Sequence, residues 1–467
     1  MRAFAKSLLP QEIHAFLRRS VYSHIPLKKR MGKNYWQLRA FLAQAQWWNR
    51  EQIEAWQLEK MKKMVHHAYQ NVPGYRTLYQ AAGVKPDDII SLADVQLLPF
   101  ITKELLRDNI KDFVARNIPG WKLRFVTTGG STGIPLGYYH TDVNLWMEDA
   151  FMHQGWERTG WQLEDVSAVL RGGFTGSQER IWDYDPVRFE LNLSSYFLAE
   201  QTYQQYMNIF QEYKPRYLQA YPSAVTLLAD LVLNNNDVGR IGIKAILLGS
   251  EGIYDWQKDK LSRAFPDAQL FGWYGHSEQA ILAPMCEYSD QYHVWPFYGF
   301  TEIVKDGGGL VNVGEVGELV GTSFWSEGTP FIRYRTGDLA ERGQIGCARC
   351  NRQFEILTRI EGRKQDYVVT TDGGYVTLTA LIFAQHFHAF GSIINMQLYQ
   401  DRVGEVLVKV VPTSAFSDQD INEIKTTMEG AVGGRLNVRV QIVDEIPRTQ
   451  RGKYRFLEQK LDIKYGE

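Results

Sequence analysis

The sequence is poor in cysteine, in net charge and in long apolar segments. Its 467 residues include three cysteines, too few for a disulfide scaffold, which favours a reducing compartment. The formal net charge of -1 gives no overall attraction to nucleic acid or to an anionic membrane. No apolar run approaches the length of a membrane span, and no signal-peptide pattern is present. We therefore expect a cytoplasmic protein without a nucleic-acid partner.

Residues 1–33 are an exception, because they are locally basic and carry apolar residues near helical spacing. Two interpretations are open. A basic amphipathic helix can rest on a membrane surface, which would make the protein membrane-associated. Alternatively, a terminal helix docks on the body of the protein and leaves its charged face in solvent, which is the simpler interpretation.

A glycine-rich loop spans residues 127–135 and reads Thr-Thr-Gly-Gly-Ser-Thr-Gly-Ile-Pro. It follows a predicted strand at 121–126 and precedes a pattern that turns helical by Asn144. Glycines allow close backbone approach, and N–H groups and hydroxyls can surround phosphate oxygens. The loop is not a Walker A motif, because no Gly-Lys-Ser/Thr follows at the required spacing. Taken alone it is also compatible with an ordinary surface loop.

Short apolar runs alternate with helical patterns after this loop, which predicts parallel strands covered by helices. The predicted strands are 166–170, 217–220 and 245–248, and the predicted helices are 202–213 and 223–233. Glycine-punctuated β segments follow residue 299, and a compact α+β tail follows residue 366. We expect an α/β protein with a large N-terminal domain at 1–363, which includes a helical leader at 1–100 and a β subdomain. A small, mobile C-terminal α+β domain is expected at 364–467.

Four further motifs can carry chemistry. Trp273 and Glu278 bound a segment in which an aromatic ring can stack on a planar base and a carboxylate can bind magnesium. Asp338 closes a predicted strand, where it could accept hydrogen bonds from ribose hydroxyls. Arg363 leads into a predicted hinge. Lys453 lies on a turn near the C-terminus, from which a mobile domain could bring a positive charge to a reacting phosphate.

The five motifs, in this order and at these intervals, resemble those of the adenylate-forming superfamily of acyl-CoA synthetases. Four other segments look like the phenylacetate–coenzyme A ligase branch and its capsular-polysaccharide relatives: Asn71–Arg76, Leu98–Lys103, Ala220–Ser223 and Gly249–Gly252. The resemblance covers most of the chain. One departure is Gln365, which stands where relatives frequently carry a hinge aspartate.

The resemblance implies a role for each matching residue. The implied phosphate-binding loop contains Thr128, Gly130, Ser131, Thr132 and Gly133. The implied adenine and acyl-pocket segments contain Glu251, Gly252, Trp273 and Tyr274. Glu278 matches the magnesium-binding acid, Asp338 the ribose-binding aspartate, and Arg363 the arginine that contacts ribose or phosphate. Lys453 matches the lysine that bridges the substrate carboxylate and the α-phosphate.

The expected substrate pocket contains Arg171, Tyr221, Ser223, Gly275 and His276. Aromatic residues in it would suit an aryl acid, whereas Arg171 could pair with a second carboxylate or a sugar acid. Arg171 could equally make a structural salt bridge. His276 could be a packing residue rather than a part of the pocket wall.

The cysteines suggest a separate site. Cys347 and Cys350 form a CxxC pair, and Cys286 precedes His293 by seven positions. Three thiolates and one imidazole would complete a tetrahedral structural zinc site. A redox CxxC is the alternative, although the thioredoxin context is absent.

The resemblance implies an ATP- and magnesium-dependent ligase that converts a carboxylic acid to an acyl-adenylate. The acyl group would then pass to coenzyme A, to a carrier protein, or to an amine or hydroxyl of a saccharide. Two alternatives stay open. One is an amide- or ester-forming enzyme of capsule or surface-polysaccharide biosynthesis, and the other is a non-catalytic nucleotide-binding relative.

Overall fold

The computed structural model describes residues 20–127, 136–171, 174, 180–195, 197–363, 367–373, 375–377, 381, 389, 392–447 and 455–461. The phosphate-loop residues Thr128, Gly130, Ser131, Thr132 and Gly133 therefore lie outside the described residues, as does Lys453. In this part of the chain, no helix combines the length and the apolar character needed to cross a membrane.

The described part begins with four helices: α1 (Leu27–Met31), α2 (Lys33–Ala45), α3 (Arg50–Asn71) and α4 (Pro73–Ala82). The side chain of Asn49 accepts a hydrogen bond from the Gln52 N–H, and the Gln52 side chain accepts one from the Asn49 N–H. This reciprocal cap starts α3 and separates it from α2. The Pro73-Gly74 pair is also a turn signal in the sequence; here the helix before it ends at Asn71, and Pro73 is the first residue of α4, a position that needs no backbone N–H donor.

The basic N-terminal segment is docked where it is described. The Arg30 Nη1 atom donates a hydrogen bond to the Val187 carbonyl oxygen at 2.6 Å. The Arg30 guanidinium also lies 5.4 Å from the centre of the Phe189 ring. Arg30 is thus docked on the body of the protein, whereas residues 1–19, which carry most of the apolar residues of the predicted helix, lie outside the described residues.

The glycine loop joins two paired strands. Strands β1 (Arg124–Thr127) and β2 (Gly137–His140) form an antiparallel hairpin. The expected strand begins later than predicted, because Gly120–Lys122 is a 3-10 turn. Helix α5 (Lys103–Asp108) precedes the hairpin and begins at the predicted N-cap, Thr102, whose hydroxyl oxygen accepts from the Leu105 N–H. Helix α6 (Asp142–Trp156) follows it.

The centre of the fold is one 12-stranded mixed sheet. Its strands are β3 (Ser167–Leu170), β4 (Trp182–Asp185), β5 (Glu190–Leu193), β6 (Tyr217–Ala220), β7 (Ala245–Gly249), β8 (Gln269–Gly275), β9 (Leu282–Cys286), β10 (Ser289–His293), β11 (Gly299–Val304), β12 (Val316–Ser323), β13 (Tyr334–Ile345) and β14 (Glu355–Arg363). Their order is β11-β12-β13-β14-β10-β9-β8-β7-β6-β3-β5-β4. Strands β5, β3, β6, β7 and β8 are parallel neighbours, and the half from β8 to β11 is antiparallel.

The parallel strands are buried on both faces. In β7, Ile246 and Leu248 pack in one core, while Ala245 and Leu247 pack in another. Helices α7 (Tyr203–Tyr213), α8 (Pro222–Asn234) and α9 (Asp255–Ala264) join these strands. Burial on two faces explains why the strand reads as an unbroken apolar run. The α/β class predicted from the alternating pattern is confirmed.

The C-terminal part has a core of its own, to which Leu398, Val408, Ile424 and Leu457 belong. Its elements are β15 (Tyr367–Val369), β16 (Tyr375–Thr377), β17 (Ile393–Arg402), β18 (Glu405–Pro412), helix α10 (Asp418–Ala431), β19 (Asn437–Ile442) and β20 (Leu457–Gln459). Strands β19, β18, β17 and β20 form a four-stranded sheet in that order. The expected α+β texture is thus present in the described residues.

Candidate active site

Several predicted site residues meet at the carboxyl ends of the parallel strands. Arg171 directly follows β3, and Tyr221 directly follows β6. Strands β3 and β6 are paired in parallel, so these two residues lie at the same end of the sheet. Gly249 ends β7 and pairs with Trp273 in β8. The carboxyl edge of a parallel sheet is the usual place for a ligand site, because the loops there can vary without disturbing the strands.

Hydrogen bonds between Glu251 and Ser223 connect the loop after β7 to the start of α8. The Glu251 carboxylate accepts hydrogen bonds from the Ser223 N–H at 3.0 Å and from the Ser223 hydroxyl at 3.1 Å. A carboxylate at a helix N-terminus is favoured by the helix dipole. Ser250 has a φ of 70°, an unusual conformation for a residue with a side chain. The arrangement holds the backbone of Glu251 and Gly252 at the strand edge.

Trp273 and Tyr274 do not act as a pair, because successive residues of a strand point to opposite faces. The Trp273 ring lies 5.8 Å from that of Trp156. A Cβ on Gly249 would come within 2.4 Å of the Trp273 ring, so this position accommodates the ring only as glycine. The Tyr274 hydroxyl instead donates to Asp338 Oδ2 at 2.7 Å. The side chains of Trp273 and Tyr274 therefore lie on opposite faces of β8.

Arg171 lies against the Trp273 ring. Its guanidinium carbon is 5.0 Å from the centre of the Trp273 ring. Its Nε and Nη2 atoms are buried and have no hydrogen-bond partner among the described residues. Burial lowers the pKa of Arg171 from its ordinary value, and Tyr221 and Glu190 partly oppose that effect. The alternative interpretation, a structural salt bridge of Arg171, finds no partner in the described part of the chain.

Glu278 is a buried carboxylate held by two side chains. Its Oε1 atom accepts a hydrogen bond from the Tyr334 hydroxyl at 2.8 Å, and its Oε2 atom lies 3.2 Å from His276 Nδ1. Burial alone would raise the pKa of Glu278, but His276 and Tyr334 outweigh it and lower the pKa to about 2. The carboxylate is thus ionised and oriented.

Asp338 is connected to Glu278 through Tyr274 and His276. Its backbone pairs with that of Arg363 across β13 and β14. Gly337 before it has a φ of 75°, which glycine adopts without strain. The rings of Tyr274 and His276 are 6.1 Å apart, which connects the Asp338 and Glu278 ends of the network. Both predicted acids therefore face one region, and Gly275 lies in the strand segment between Tyr274 and His276.

The base of the glycine loop is anchored next to this network. The Tyr138 hydroxyl in β2 donates to the Ser277 carbonyl oxygen at 2.5 Å. His140 in the same strand is close enough for Glu278 to raise its pKa, although burial has the larger effect and lowers it to about 4. Strand β2, which follows the loop, therefore lies beside the ionised Glu278.

The three cysteines and His293 converge in a second, separate site. Their four ligand atoms all lie within 4.8 Å of one another, and all four residues are buried. The Sγ atoms of Cys286 and Cys347 are 3.9 Å apart, and Cys350 Sγ is 3.9 Å from His293 Nδ1. None of the cysteines is in a disulfide. Cys286 and His293 end the neighbouring strands β9 and β10, while the CxxC pair lies in the turn between β13 and β14.

Two arginines, Arg352 and Arg158, lie beside this second site with their guanidinium groups buried. Arg352 makes two 2.8 Å hydrogen bonds to the Glu287 carboxylate. Arg158 has no carboxylate partner in the described residues, and its Nε and Nη2 atoms are unsatisfied. Burial and then Arg352 lower the pKa of Arg158 to about 9, whereas Glu287 and the cysteines raise it. A negatively charged cluster would compensate this buried cation.

Sequence reasoning missed two residues of these sites. Tyr334 begins the Tyr-Arg-Thr-Gly-Asp motif, and strand periodicity could have placed it on the same side as Asp338, four residues later. No local sequence pattern marks Arg158 as a site residue, because it comes near the cysteines only through the packing of α6 and the turn after it against the sheet.

Comparison with known proteins gives three similarities. A family model described as "CapK C-terminal domain" matches residues 368–460. The chain is 30% identical over 330 residues to a phenylacetate-coenzyme A ligase of Aromatoleum evansii. The aligned region covers 69% of this chain and 72% of that protein. It is 25% identical over 384 residues to protein CapK of Staphylococcus aureus, covering 79% and 80% of the two chains.

The fold also resembles a solved structure. The crystal structure of 2-hydroxyisobutyryl-CoA ligase in the postadenylation state, with R3-HIB-AMP, matches with a TM-score of 0.71 and 18% sequence identity. The match covers 89% of this chain and 91% of that one. This likeness shows the fold, which is the large mixed sheet with a separate C-terminal part.

Proposed function

The chain belongs to the phenylacetate–coenzyme A ligase family, and we propose that it uses ATP to activate a carboxylic acid as an acyl-adenylate and passes the acyl group to coenzyme A. The observation that carries this proposal is the sequence similarity to phenylacetate–coenzyme A ligases over most of the chain. The meeting of Glu278 and Asp338 in one polar network is consistent with it.

The reaction has two steps. In the first, a carboxylate oxygen of the acid attacks the α-phosphorus of ATP, and the bond to pyrophosphate breaks. The resulting mixed anhydride is a better electrophile than the carboxylate, because AMP is a good leaving group. In the second, the thiol of coenzyme A loses its proton and attacks the acyl carbon, and the bond to AMP breaks. The products are a thioester, AMP and pyrophosphate.

We assign the nucleotide to the Glu278–Asp338 network. Asp338 would accept hydrogen bonds from the ribose hydroxyls. Glu278 would hold a magnesium ion, which would offset the charge of the phosphates. The residues fit this ion, since the Glu278 carboxylate is ionised and already oriented by Tyr334 and His276. Thr128, Gly130, Ser131, Thr132 and Gly133 would bind the phosphates, and Arg363 the ribose or a phosphate. Glu251, Gly252 and Tyr274 would border the adenine.

Lys453 would neutralise charge on the reacting carboxylate and the α-phosphate during the first step. The ring of Phe456, three residues later, lies 5.2 Å from that of Tyr254, which follows the Glu251 loop. We propose a large domain at 1–363 and a small domain at 364–467 that moves between the two steps. The family match at 368–460 supports a unit of that extent.

A second candidate acceptor comes from the similarity to protein CapK. In that case an amine or hydroxyl of a saccharide, or the thiol of a carrier protein, would take the acyl group in place of coenzyme A. The first step and its residues would be unchanged. Adding each class of acceptor to enzyme that already carries its adenylate would separate these options, because only the true acceptor would release AMP.

The test of the proposed function is ATP-dependent trapping of the acyl-adenylate with hydroxylamine. Aryl acids, fatty acids, amino acids and uronic acids would be offered in turn, and a hydroxamate detected by mass spectrometry. Lys453→Ala should abolish the product while ATP binding by calorimetry persists. If no acid gives a hydroxamate although ATP binds, the adenylating function would have to be abandoned for a nucleotide-binding one.

We also propose that Cys286, His293, Cys347 and Cys350 hold a structural zinc ion. The donors fit zinc, since three sulfur atoms and one nitrogen form a closed, buried set of four. Metal analysis of protein purified without a histidine tag should find about one zinc per chain. Zinc far below stoichiometry in freshly prepared, reduced protein would exclude this site.

A further inference from the structure

Arg171, like Arg158 at the cysteine–histidine cluster, has buried Nε and Nη2 atoms without a hydrogen-bond partner in the described residues. By contrast, Arg333 donates from Nε and Nη2 to the two oxygens of Glu302 at 2.9 Å, and Arg352 donates from Nη1 to both oxygens of Glu287 at 2.8 Å. Neither the Nε nor the Nη2 atom of Arg171 has a partner within the described residues. The nearby Glu190 carboxylate pairs with Arg188 instead, at 3.1 Å. The site thus holds a desolvated cation with two open donors.

The contact with Trp273 does not compensate this charge. A cation–π contact is weak compared with the free-energy cost of burying an unpaired charge. Nε–H and the neighbouring Nη2–H form one edge of the guanidinium and point the same way. This edge matches the two oxygens of a carboxylate, which can accept both hydrogen bonds at once.

We infer that the substrate acid carries a second carboxylate and that Arg171 binds it. The inference rests on the proposed function, in which the first carboxylate reacts with ATP. Arg171 follows β3 and Glu278 follows β8, so both lie at the carboxyl ends of the parallel strands, where one ligand can be reached from both faces of the sheet. The Trp273 ring beside Arg171 and the Tyr274 ring beside Asp338 leave β8 on opposite faces. The two ends of a dicarboxylic acid would therefore be bound by different groups.

Matched pairs of acids that differ by one carboxylate test this specificity. Suitable pairs are phenylacetate with 4-carboxyphenylacetate, and hexanoate with adipate. The kcat/KM for hydroxamate formation would be measured for wild type and for Arg171→Gln, which keeps much of the side-chain length without the charge. The exposed Arg180, which pairs with Asp183, provides a control substitution, Arg180→Gln. Melting curves would confirm that each variant folds.

Wild type should prefer the diacid of at least one pair by about 10- to 100-fold, the usual worth of hydrogen bonds to a charged group. Arg171→Gln should remove that preference, and Arg180→Gln should keep it. A wild type that favours the monoacids, or an Arg171→Gln effect equal for both members of each pair, would overturn the inference.

Calorimetry of the same acids without ATP separates this inference from the proposed function. If no acid forms a hydroxamate, the proposed function fails, and binding alone decides the role of Arg171. Diacid binding that is lost in Arg171→Gln would still support a dicarboxylate site. Diacid binding that is absent, or equal in wild type and Arg171→Gln, would refute it.

Discussion

The proposed magnesium centre at Glu278 and the proposed zinc site of the cysteine–histidine cluster differ in design and are connected by one strand. Strand β13 begins at Tyr334, which binds Glu278, and its far end leads into the turn with Cys347 and Cys350. The cluster offers four soft ligands and is closed by burial. Glu278 offers one hard carboxylate, which leaves the remaining positions of a magnesium ion to phosphates and water. We propose that the cysteine–histidine cluster stabilises the fold and that the Glu278 centre takes part in turnover.

The largest expected effect comes from breaking the closed site. Cys350→Ser should abolish zinc binding and lower the free energy of unfolding by about 4 kcal/mol or more, because metal loss also leaves Arg158 without a compensating charge. Urea unfolding followed by circular dichroism measures the change. Wild type stripped of metal should unfold at the same urea concentration as the variant. A variant as stable as metal-loaded wild type would contradict a structural role for the cluster.

Glu278→Gln tests the open site. Loss of the ionised oxygen should reduce adenylation by about 100- to 1,000-fold, comparable to removing one preorganised group that stabilises a transition state. The free energy of unfolding should change less than in Cys350→Ser, because the amide can still accept from Tyr334. Hydroxamate formation at saturating ATP measures the rate. Full activity in this variant would remove Glu278 from the proposed mechanism.

Asp338→Asn should have a smaller effect on the same site. A charged acceptor for ribose hydroxyls contributes about 1.5–3 kcal/mol, so kcat/KM for ATP should fall by about 10- to 100-fold. The zinc content should stay at the wild-type value, which distinguishes this change from a general disturbance of β13. Deoxy-ATP analogues should lose little further activity in the variant; a full additional loss with them would show that Asp338 does not contact the ribose.

Tyr334→Phe removes one hydrogen bond that orients Glu278. We expect the magnesium concentration for half-maximal activity to rise by about tenfold, as for other groups that orient a metal ligand. Tyr217→Phe is the matched control, since the Tyr217 hydroxyl is buried without a hydrogen-bond partner in the described residues. An equal magnesium requirement in wild type and Tyr334→Phe would show that Tyr334 does not orient the ligand.

Much of this arrangement could be predicted from the sequence. The apolar run of β7 indicated a doubly covered parallel strand, and short motifs indicated Glu278 and Asp338 as site residues. The CxxC pair indicated a metal site, but only the neighbouring positions of β9, β10 and β14 in the sheet bring Cys286 and His293 to it. These pairings depend on contacts between residues far apart in the chain, which local patterns do not encode.

Other features needed the coordinates because two local signals competed. Pro73 is favoured both in turns and at the first position of a helix, and here it begins α4. Trp273 and Tyr274 looked like one aromatic pair, although the period of a strand separates their side chains. The pairing of Tyr334 with Glu278 and the isolation of Arg171 follow from tertiary packing alone.

The most direct test of the central claim is to follow oxygen from the acid into the products. An acid that the enzyme accepts would be labelled with 18O in its carboxylate and turned over with ATP and coenzyme A, and the products analysed by mass spectrometry. An acyl-adenylate transfers one carboxylate oxygen to AMP, so we predict AMP with one 18O atom and unlabelled pyrophosphate. Label in inorganic phosphate, with ADP as the nucleotide product, would contradict the claim, because it would show that the acid attacks the γ-phosphorus instead.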